Sequence, residues 1–214
     1  MNKVKILCLS LLILVCLFAT ASAQPGKKMV HVDENTISLD YLEGVYPSVD
    51  ARNAIAEAKI NTEIEKVISN FEANIRRENL KGNGNEVKGY VDYKVKANRH
   101  GIFSVIISTS TMYKGAAHPS TYYTGLSFDK QGNRIYLKDI LEDDKLSGDN
   151  YYTVENLKAA VLAQASDKIF NDPPLNITKF PQEFYLDSKH NLHVLFQPYD
   201  IAPYAAGLID INLK

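Results

Sequence analysis

The stretch V-D-Y-K-V-K-A-N-R-H-G-I-F-S-V-I-I, residues 91–107, alternates apolar and polar side chains as far as Ala97, breaks at Asn98-Arg-His-Gly101 and resumes as an apolar run. A period of two puts Val91, Tyr93, Val95 and Ala97 on one face of a strand and Asp92, Lys94 and Lys96 on the other. Gly101 supplies the positive φ that a tight reversal requires. The stretch predicts a β-hairpin, and so an antiparallel sheet.

Upstream of it, Ile60, Ile64, Val67, Ile68, Phe71 and Ile75 recur at steps of three and four, the single buried stripe of a long amphipathic helix. Ser48 or Asp50 is suited to cap it, Glu72 stands four residues before Arg76, and Gly82-Asn-Gly84-Asn ends it, so the expected helix runs from Ser48 to Glu78. Ile37-Ser-Leu39-Asp-Tyr41 alternates as a half-buried strand behind a polar leader, Gln24 to Glu34. Downstream, Thr124, Leu126 and Phe128 face Ile135 to Leu137 across Asp129-Lys-Gln-Gly-Asn133, a second hairpin. A second helix is expected over Tyr152 to Phe170, with Val154, Leu157, Val161, Ala165 and Ile169 on one face and Asn171-Asp-Pro-Pro174 as its stop. Phe184 to Leu186 and Leu192 to Phe196 make a third hairpin around Asp187–Asn191, and Ile209, Ile211 and Leu213 close the chain as a strand. The order argues for an α+β fold, largely antiparallel sheet with two long packed helices.

The first residues set the compartment. Lys3 and Lys5 precede an apolar run from Ile6 to Ala19, and Ala21-Ser-Ala23-Gln24 is a small-x-small cleavage pattern, so residues 1–23 read as a secretory signal peptide. The run is shorter than the roughly 20 residues a membrane-spanning helix needs. Cys8 and Cys16 lie within the signal, and the setting of Cys16, between Val15 and Leu17-Phe18, is not that of a lipidated cysteine. The mature chain of about 190 residues therefore has neither disulfide nor thiolate chemistry, and it is long enough to be held by its core alone. Losing two lysines and no acid moves the formal charge from -1 to -3, with both signs scattered. No basic patch suits nucleic acid or an anionic membrane surface.

Chemistry-bearing motifs are sparse. Gly125-Leu-Ser127-Phe-Asp129 lacks the second glycine of a serine-nucleophile elbow and reads as strand. Neither a Walker loop nor a dinucleotide fingerprint occurs. His190 and His193 straddle a turn and diverge, and His31-Val-Asp33 lies in the leader, so no metal or other cofactor is expected. Asn176-Ile-Thr178 matches a glycosylation acceptor, a three-residue match that carries no function by itself. Two regions stand out. His118 is followed by Pro119, Ser120, Thr121, Tyr122 and Tyr123, a polar aromatic cluster, with Tyr113 just before it. In Phe196-Gln-Pro-Tyr-Asp-Ile-Ala-Pro-Tyr-Ala-Ala-Gly207 the prolines fix φ and remove donors, so the chain leaves the sheet as an ordered loop. Tyr199 and Tyr204 there are flat amphipathic rings of the kind that stack on sugars or anchor interfaces, and Asp200 can accept a bond from a hydroxyl or an arginine. The alternative for the loop is packing of both tyrosines over the core, with Asp200 capping a helical turn at Ile201–Tyr204. For His118 it is a bond to a loop carbonyl.

These motifs, with Tyr113-Lys-Gly-Ala-Ala-His-Pro119 and Gly125-Leu-Ser-Phe-Asp-Lys-Gln-Gly-Asn-Arg-Ile-Tyr-Leu-Lys-Asp-Ile-Leu141, resemble the PdaC/RsiV-like extracellular domains, a paired N-terminal and C-terminal unit of unknown general function. The resemblance covers the mature chain. It implies a bacterial exported module of the kind found outside a membrane-bound anti-sigma factor that senses lysozyme by binding it, and in the non-catalytic part of a cell-wall polysaccharide deacetylase. With neither a transmembrane segment after the signal nor a metal-binding deacetylase domain in view, sigma-factor control and deacetylation are not carried over. Gly115-Ala-Ala117 also departs from relatives, where a second glycine often follows the first. The expected layout is a signal peptide at 1–23, a flexible leader at 24–35, an N-terminal unit at 36–118 and a C-terminal unit at 119–214, packed as one body.

The function expected is an exported, periplasmic or extracellular, non-catalytic binding module for a cell-envelope glycan or a wall-degrading enzyme such as lysozyme. Its candidate contacts are Tyr113, His118, Tyr122, Tyr123, Tyr199, Asp200 and Tyr204. The alternative is a cell-envelope hydrolase or esterase using His118 with nearby carboxylates. Intact-mass analysis of the exported protein should show loss of residues 1–23 and a chain beginning at Gln24; a lipid-bearing Cys16 would overturn the assignment.

Overall fold

A computed structural model describes residues 27–81, 86–170 and 175–213. The signal peptide, the Gly82–Asn85 helix stop and the Asn171–Pro174 stop lie outside the described residues. The chain runs β1 (His31–Leu39), β2 (Leu42–Asp50), α1 (Ala54–Leu80), β3 (Val87–Arg99), β4 (Ile102–Tyr113), β5 (Ser120–Phe128), α2 (Leu137–Ser147), α3 (Val154–Ala165), β6 (Glu183–Leu186), β7 (Leu192–Phe196) and β8 (Ile209–Leu213). Strands β1 to β5 form one sheet in sequence order and β6 to β8 a second. Every pairing is antiparallel except a short parallel contact of β2 with β3. The fold is α+β, as the sequence predicts.

The β3–β4 hairpin forms as read, closed by His100 and Gly101, both at positive φ. It carries a bulge between Val95 and Ala97, and that extra residue sends Ala97 to the opposite core from Val91. On one face of the first sheet Val91, Val105, Ile107, Leu126 and Phe128 meet Ile60, Ile64 and Ile68 of α1. On the other face Ile106 meets Tyr185 and Leu195 of the second sheet. The far side of the second sheet is covered by Leu157, Val161 and Ala165 of α3. Each fully buried aliphatic or aromatic side chain contributes about 1.5–3 kcal/mol of transfer free energy.

The element bounds differ from the sequence reading at several points. The long helix begins at Ala54 rather than at Ser48 or Asp50, because Val45 to Val49 extend as β2 and Asn53 accepts from the Ile55 and Ala56 N–H groups. The leader gives way to strand at His31, inside the expected 24–35, with Val30 already buried. Ile135 to Leu137 do not form a strand: after the expected turn at 129–133 only Phe128 bridges Arg134, and Leu137 opens α2. There are accordingly three helices among the described residues, the last ending at Ala165 rather than Phe170. Strand β5, which follows the expected division at 118/119, is an edge strand of the first sheet.

A polar network crosses between the sheets. Lys96 Nζ on β3 donates to Asp210 Oδ2 on β8 at 2.9 Å and lies 4.5 Å from the Tyr185 ring centroid. The Tyr185 hydroxyl donates to Asp210 at 2.8 Å, and His193 Nδ1 lies 2.8 Å from Asp210 Oδ1. His190 instead contacts the His100 carbonyl, so the two histidines serve different partners. Burial pushes the Asp210 carboxyl up, but hydrogen bonds from His193 and Lys96 outweigh it and leave the pKa below the usual value.

Two measurements check this arrangement. Ile68 is 7% exposed within the α1 stripe, so Ile68→Asp buries an unpaired charge and should unfold the protein or cost several kcal/mol, of order 4; unchanged melting would put the stripe on the wrong face. A depressed folded-state pKa stabilises above the unfolded carboxylate range, near about 3.9, and that contribution is lost as pH falls through the folded value. Asp210→Asn should therefore lower the melting temperature at neutral pH and flatten the acid limb of the stability curve below about pH 4.

Candidate functional site

As an edge strand, β5 presents backbone groups that no neighbouring strand pairs. Side chains from the C-terminal half take them. Gln197 receives the Tyr123 N–H at 2.8 Å and donates to the Tyr123 carbonyl at 2.9 Å. Glu183 accepts the Gly125 N–H at 2.9 Å, and Arg134 Nη2 donates to the Gly125 carbonyl at 2.7 Å. At this point β6 crosses β5 so closely that a Cβ on Gly125 would stand 2.0 Å from the Phe184 carbonyl oxygen. Ser127 completes the seam, its hydroxyl accepting the Leu186 N–H at 3.0 Å.

The crossing leaves a groove of about 620 Å³ lined by Tyr122, Lys179, Phe180, Glu183, Gln197 and Asp200 among others. The Tyr122 hydroxyl donates to Glu183 Oε1 at 3.1 Å. Burial first, and then the Glu183 carboxylate, push the Tyr122 phenol up to about 12, so it is neutral. Burial likewise raises the Glu183 carboxyl, against bonds from Gly125 and Tyr122 and the Arg134 charge.

Beside the groove stands an aromatic shelf. Tyr199 takes a left-handed φ of 74° and is 59% exposed. The turn that holds it is bonded within itself: Tyr199 N–H to the Ala202 carbonyl, Asp200 N–H to the Gln197 carbonyl, and Gln197 N–H to Asp200 Oδ2 at 2.7 Å. Ile201 and Ala202 anchor it in the core. Asp200 thus caps backwards onto Gln197, and the helical turn lies at Tyr204–Ala206 rather than at Ile201–Tyr204. The His118 ring stacks on Tyr204, centroids 3.9 Å apart and planes 20° apart. His118 Nδ1 lies 2.8 Å from the Pro119 carbonyl, which only accepts, so Nδ1 carries the proton. In the neutral ring Nε2 then accepts the Tyr199 hydroxyl, 3.3 Å away. The Tyr204 hydroxyl lies 3.2 Å from the Thr121 hydroxyl.

Of the residues singled out in the sequence, His118, Tyr199 and Tyr204 come together, and Tyr122 and Asp200 line the adjoining groove. Two do not join them. Tyr123 turns inward toward Ile106, Tyr185 and Leu195, and Tyr113 is the exposed last residue of β4. Sequence reasoning missed Glu183, Arg134 and Gln197 as groove builders. Their partners lie 58, 9 and 74 residues away, and Gln197 and Arg134 stood within quoted motifs but Glu183 did not.

Comparison with known proteins places this geometry in context. Residues 31–121 match the family model described as "Deacetylase PdaC", and residues 138–214 match that of a "Protein of unknown function (DUF3298)". A DUF3298 family protein from Pseudomonas aeruginosa PAO1 superposes with a TM-score of 0.56 over 88% of this chain and 90% of its own, at 15% identity. A member from Bacteroides fragilis NCTC 9343 gives 0.51 over 87% and 91%, at 14% identity. Both likenesses are of fold. No curated protein matches the chain.

Gly125→Ala tests the seam. The added methyl must push β6 away from β5, and it should cost about 1–3 kcal/mol, as overpacking does; a silent substitution, measured by thermal unfolding, would mean that the crossing is looser than described.

Proposed function

We infer that this chain, which belongs to the paired PdaC–DUF3298 domain family, is an exported, non-catalytic binding module that recognises a glycan of the cell envelope. The observation that carries the reading is the exposed Tyr199, fixed at positive φ, bonded to His118 of the His118–Tyr204 stack and next in the chain to Asp200 of the groove lining. Flat rings offer a face to a sugar ring, and Lys179, Gln197 and Asp200 beside them supply donors and acceptors for its hydroxyls. Export rests on the N-terminal pattern of residues 1–24. Among the described residues no helix is long and apolar enough to cross a membrane.

A second reading follows from the same tyrosine. An exposed, rigidly held ring is also the kind of anchor that dominates protein interfaces, which suits a wall-degrading enzyme such as lysozyme. The hydrolase reading has less behind it. A catalytic histidine needs an orienting carboxylate, whereas the two nitrogens of His118 face the Pro119 carbonyl and the Tyr199 phenol.

Tyr199→Ala is expected to weaken binding by about 1–3 kcal/mol while melting changes by less than about half a kcal/mol. Isothermal titration of folded wild type and variant against peptidoglycan fragments and against lysozyme separates the two partners. Loss of the fold with unchanged affinity per folded molecule would make the loop structural only.

A further inference from the structure

Tyr122 lines two grooves. Besides the one at Glu183, it borders a second of about 400 Å³ on the opposite face of β5, where the end of the β4–β5 hairpin parts from α1. Asn70, Phe71 and Asn74 of α1, Thr111 of β4, and Ser120 and Thr124 of β5 line it. Among the described residues the lining contains no carboxylate, lysine, arginine or histidine, and the titratable Tyr122 is neutral across the physiological range. Asn70, Thr111, Ser120 and Thr124 make no side-chain hydrogen bond to another described residue, although Thr109 and Ser110 close by do. This leaves three hydroxyls and an amide with unused donor and acceptor capacity beside two aromatic rings.

That chemistry selects among ligands. An anion finds no cation, and a cation finds no carboxylate. An extended peptide adding to β5 would need the edge groups of Tyr123 and Gly125, which Gln197, Glu183 and Arg134 already hold. A neutral polyol fits, because each of its hydroxyls both donates and accepts, as do the side chains that face it. We propose that the groove between α1 and the β4–β5 hairpin is a subsite for an uncharged, N-acetylated sugar, and that one linked sugar chain passes across Tyr122 between the two grooves. The proposal rests on the glycan reading above and deepens it. The free amide of Asn70 suits the acetamido group, and the hydroxyls of Thr111, Ser120 and Thr124 suit the ring hydroxyls, while the Asn74 oxygen is already taken by Arg77.

The test uses the mature protein and tetra-N-acetylchitotetraose as probe, with a sulfated heparin tetrasaccharide and a tetra-alanine peptide as controls. Backbone amide NMR shifts at Asn70, Thr111, Ser120 and Tyr122 should move with chitotetraose and not with either control. Thr111→Val combined with Asn70→Ala removes two polar partners from the groove and should raise the Kd roughly tenfold, with the melting temperature unchanged. A double variant that binds as wild type, or equal shifts with the sulfated sugar or the peptide, overturns the subsite. The failures are distinguishable. If Tyr199→Ala abolishes binding and the groove variant does not, the shelf reading stands without this subsite; the reverse result keeps the subsite and removes the shelf.

Discussion

A strand without a neighbour leaves an N–H and a C=O on alternate residues, and burying them unpaired costs about 1–3 kcal/mol each. The molecule meets this constraint repeatedly with one device, a side-chain amide that imitates a strand. Asn98 brackets Val30, Asn61 brackets Val49, Asn79 brackets Val87, Gln164 brackets Asn212 and Gln197 brackets Tyr123, each giving one bond to the backbone N–H and one to the carbonyl of the same residue. An amide is the only neutral side chain that offers both a strong acceptor and a donor at that spacing. A carboxylate could serve the N–H alone, which is why Glu183 at Gly125 needs Arg134 for the carbonyl.

These brackets decide how the two halves relate. Asn61 and Asn79 fasten α1 to strands of its own sheet, but Gln197, Glu183 and Arg134 all follow β5 in the chain and close the edge of the first sheet from the second half. The second matched region therefore closes on β5 residues that lie between the two regions matched by separate family models, and Lys96 on Asp210 ties those two regions to each other directly. A seam made by side chains rather than by a continuous ladder does not close flush. The groove at Glu183 is the space left where β6 crosses β5 instead of pairing with it.

The same device explains what could be read in advance. The β3–β4 hairpin and the α1 stripe follow from periodicities local to a few turns of chain, and both formed where the side chains alternate or recur. The start of α1 did not follow, because Ser48 and Asp50 are good caps in isolation while Val45, Tyr46 and Val49 prefer a strand, and Asn61 rewards the strand from inside the helix. In α2, Leu137, Ile140 and Leu141 do repeat at helical spacing, but the segment directly follows a hairpin-like turn that suggested a returning strand. The site divides in the same way. The aromatic residues could be picked out by type, and their meeting across 81 residues between His118 and Tyr199 could be known only from the fold.

Tyr199 joins these threads. A tyrosine at positive φ is disfavoured by its Cβ, at a cost of order 1–3 kcal/mol, and it persists only where surrounding contacts over-determine it. Here they do: three hydrogen bonds within Gln197–Ala202 define the turn, Ile201 and Ala202 pin it to the core, and Gln197 is itself held by both polar groups of Tyr123. The amide that closes the sheet edge is thus the first residue of the turn that presents the ring. Among the large hydrophobic residues of this loop the most exposed is also the one whose backbone is most constrained. A ring held in that way loses little freedom when a partner covers it, so more of the contact energy would remain as affinity than for a tyrosine on a loose loop. Packing alone would be served by a glycine at this φ, and by a ring turned inward as Tyr123 is. That a tyrosine is kept outward at such a position is the physical argument for reading the turn as a recognition element.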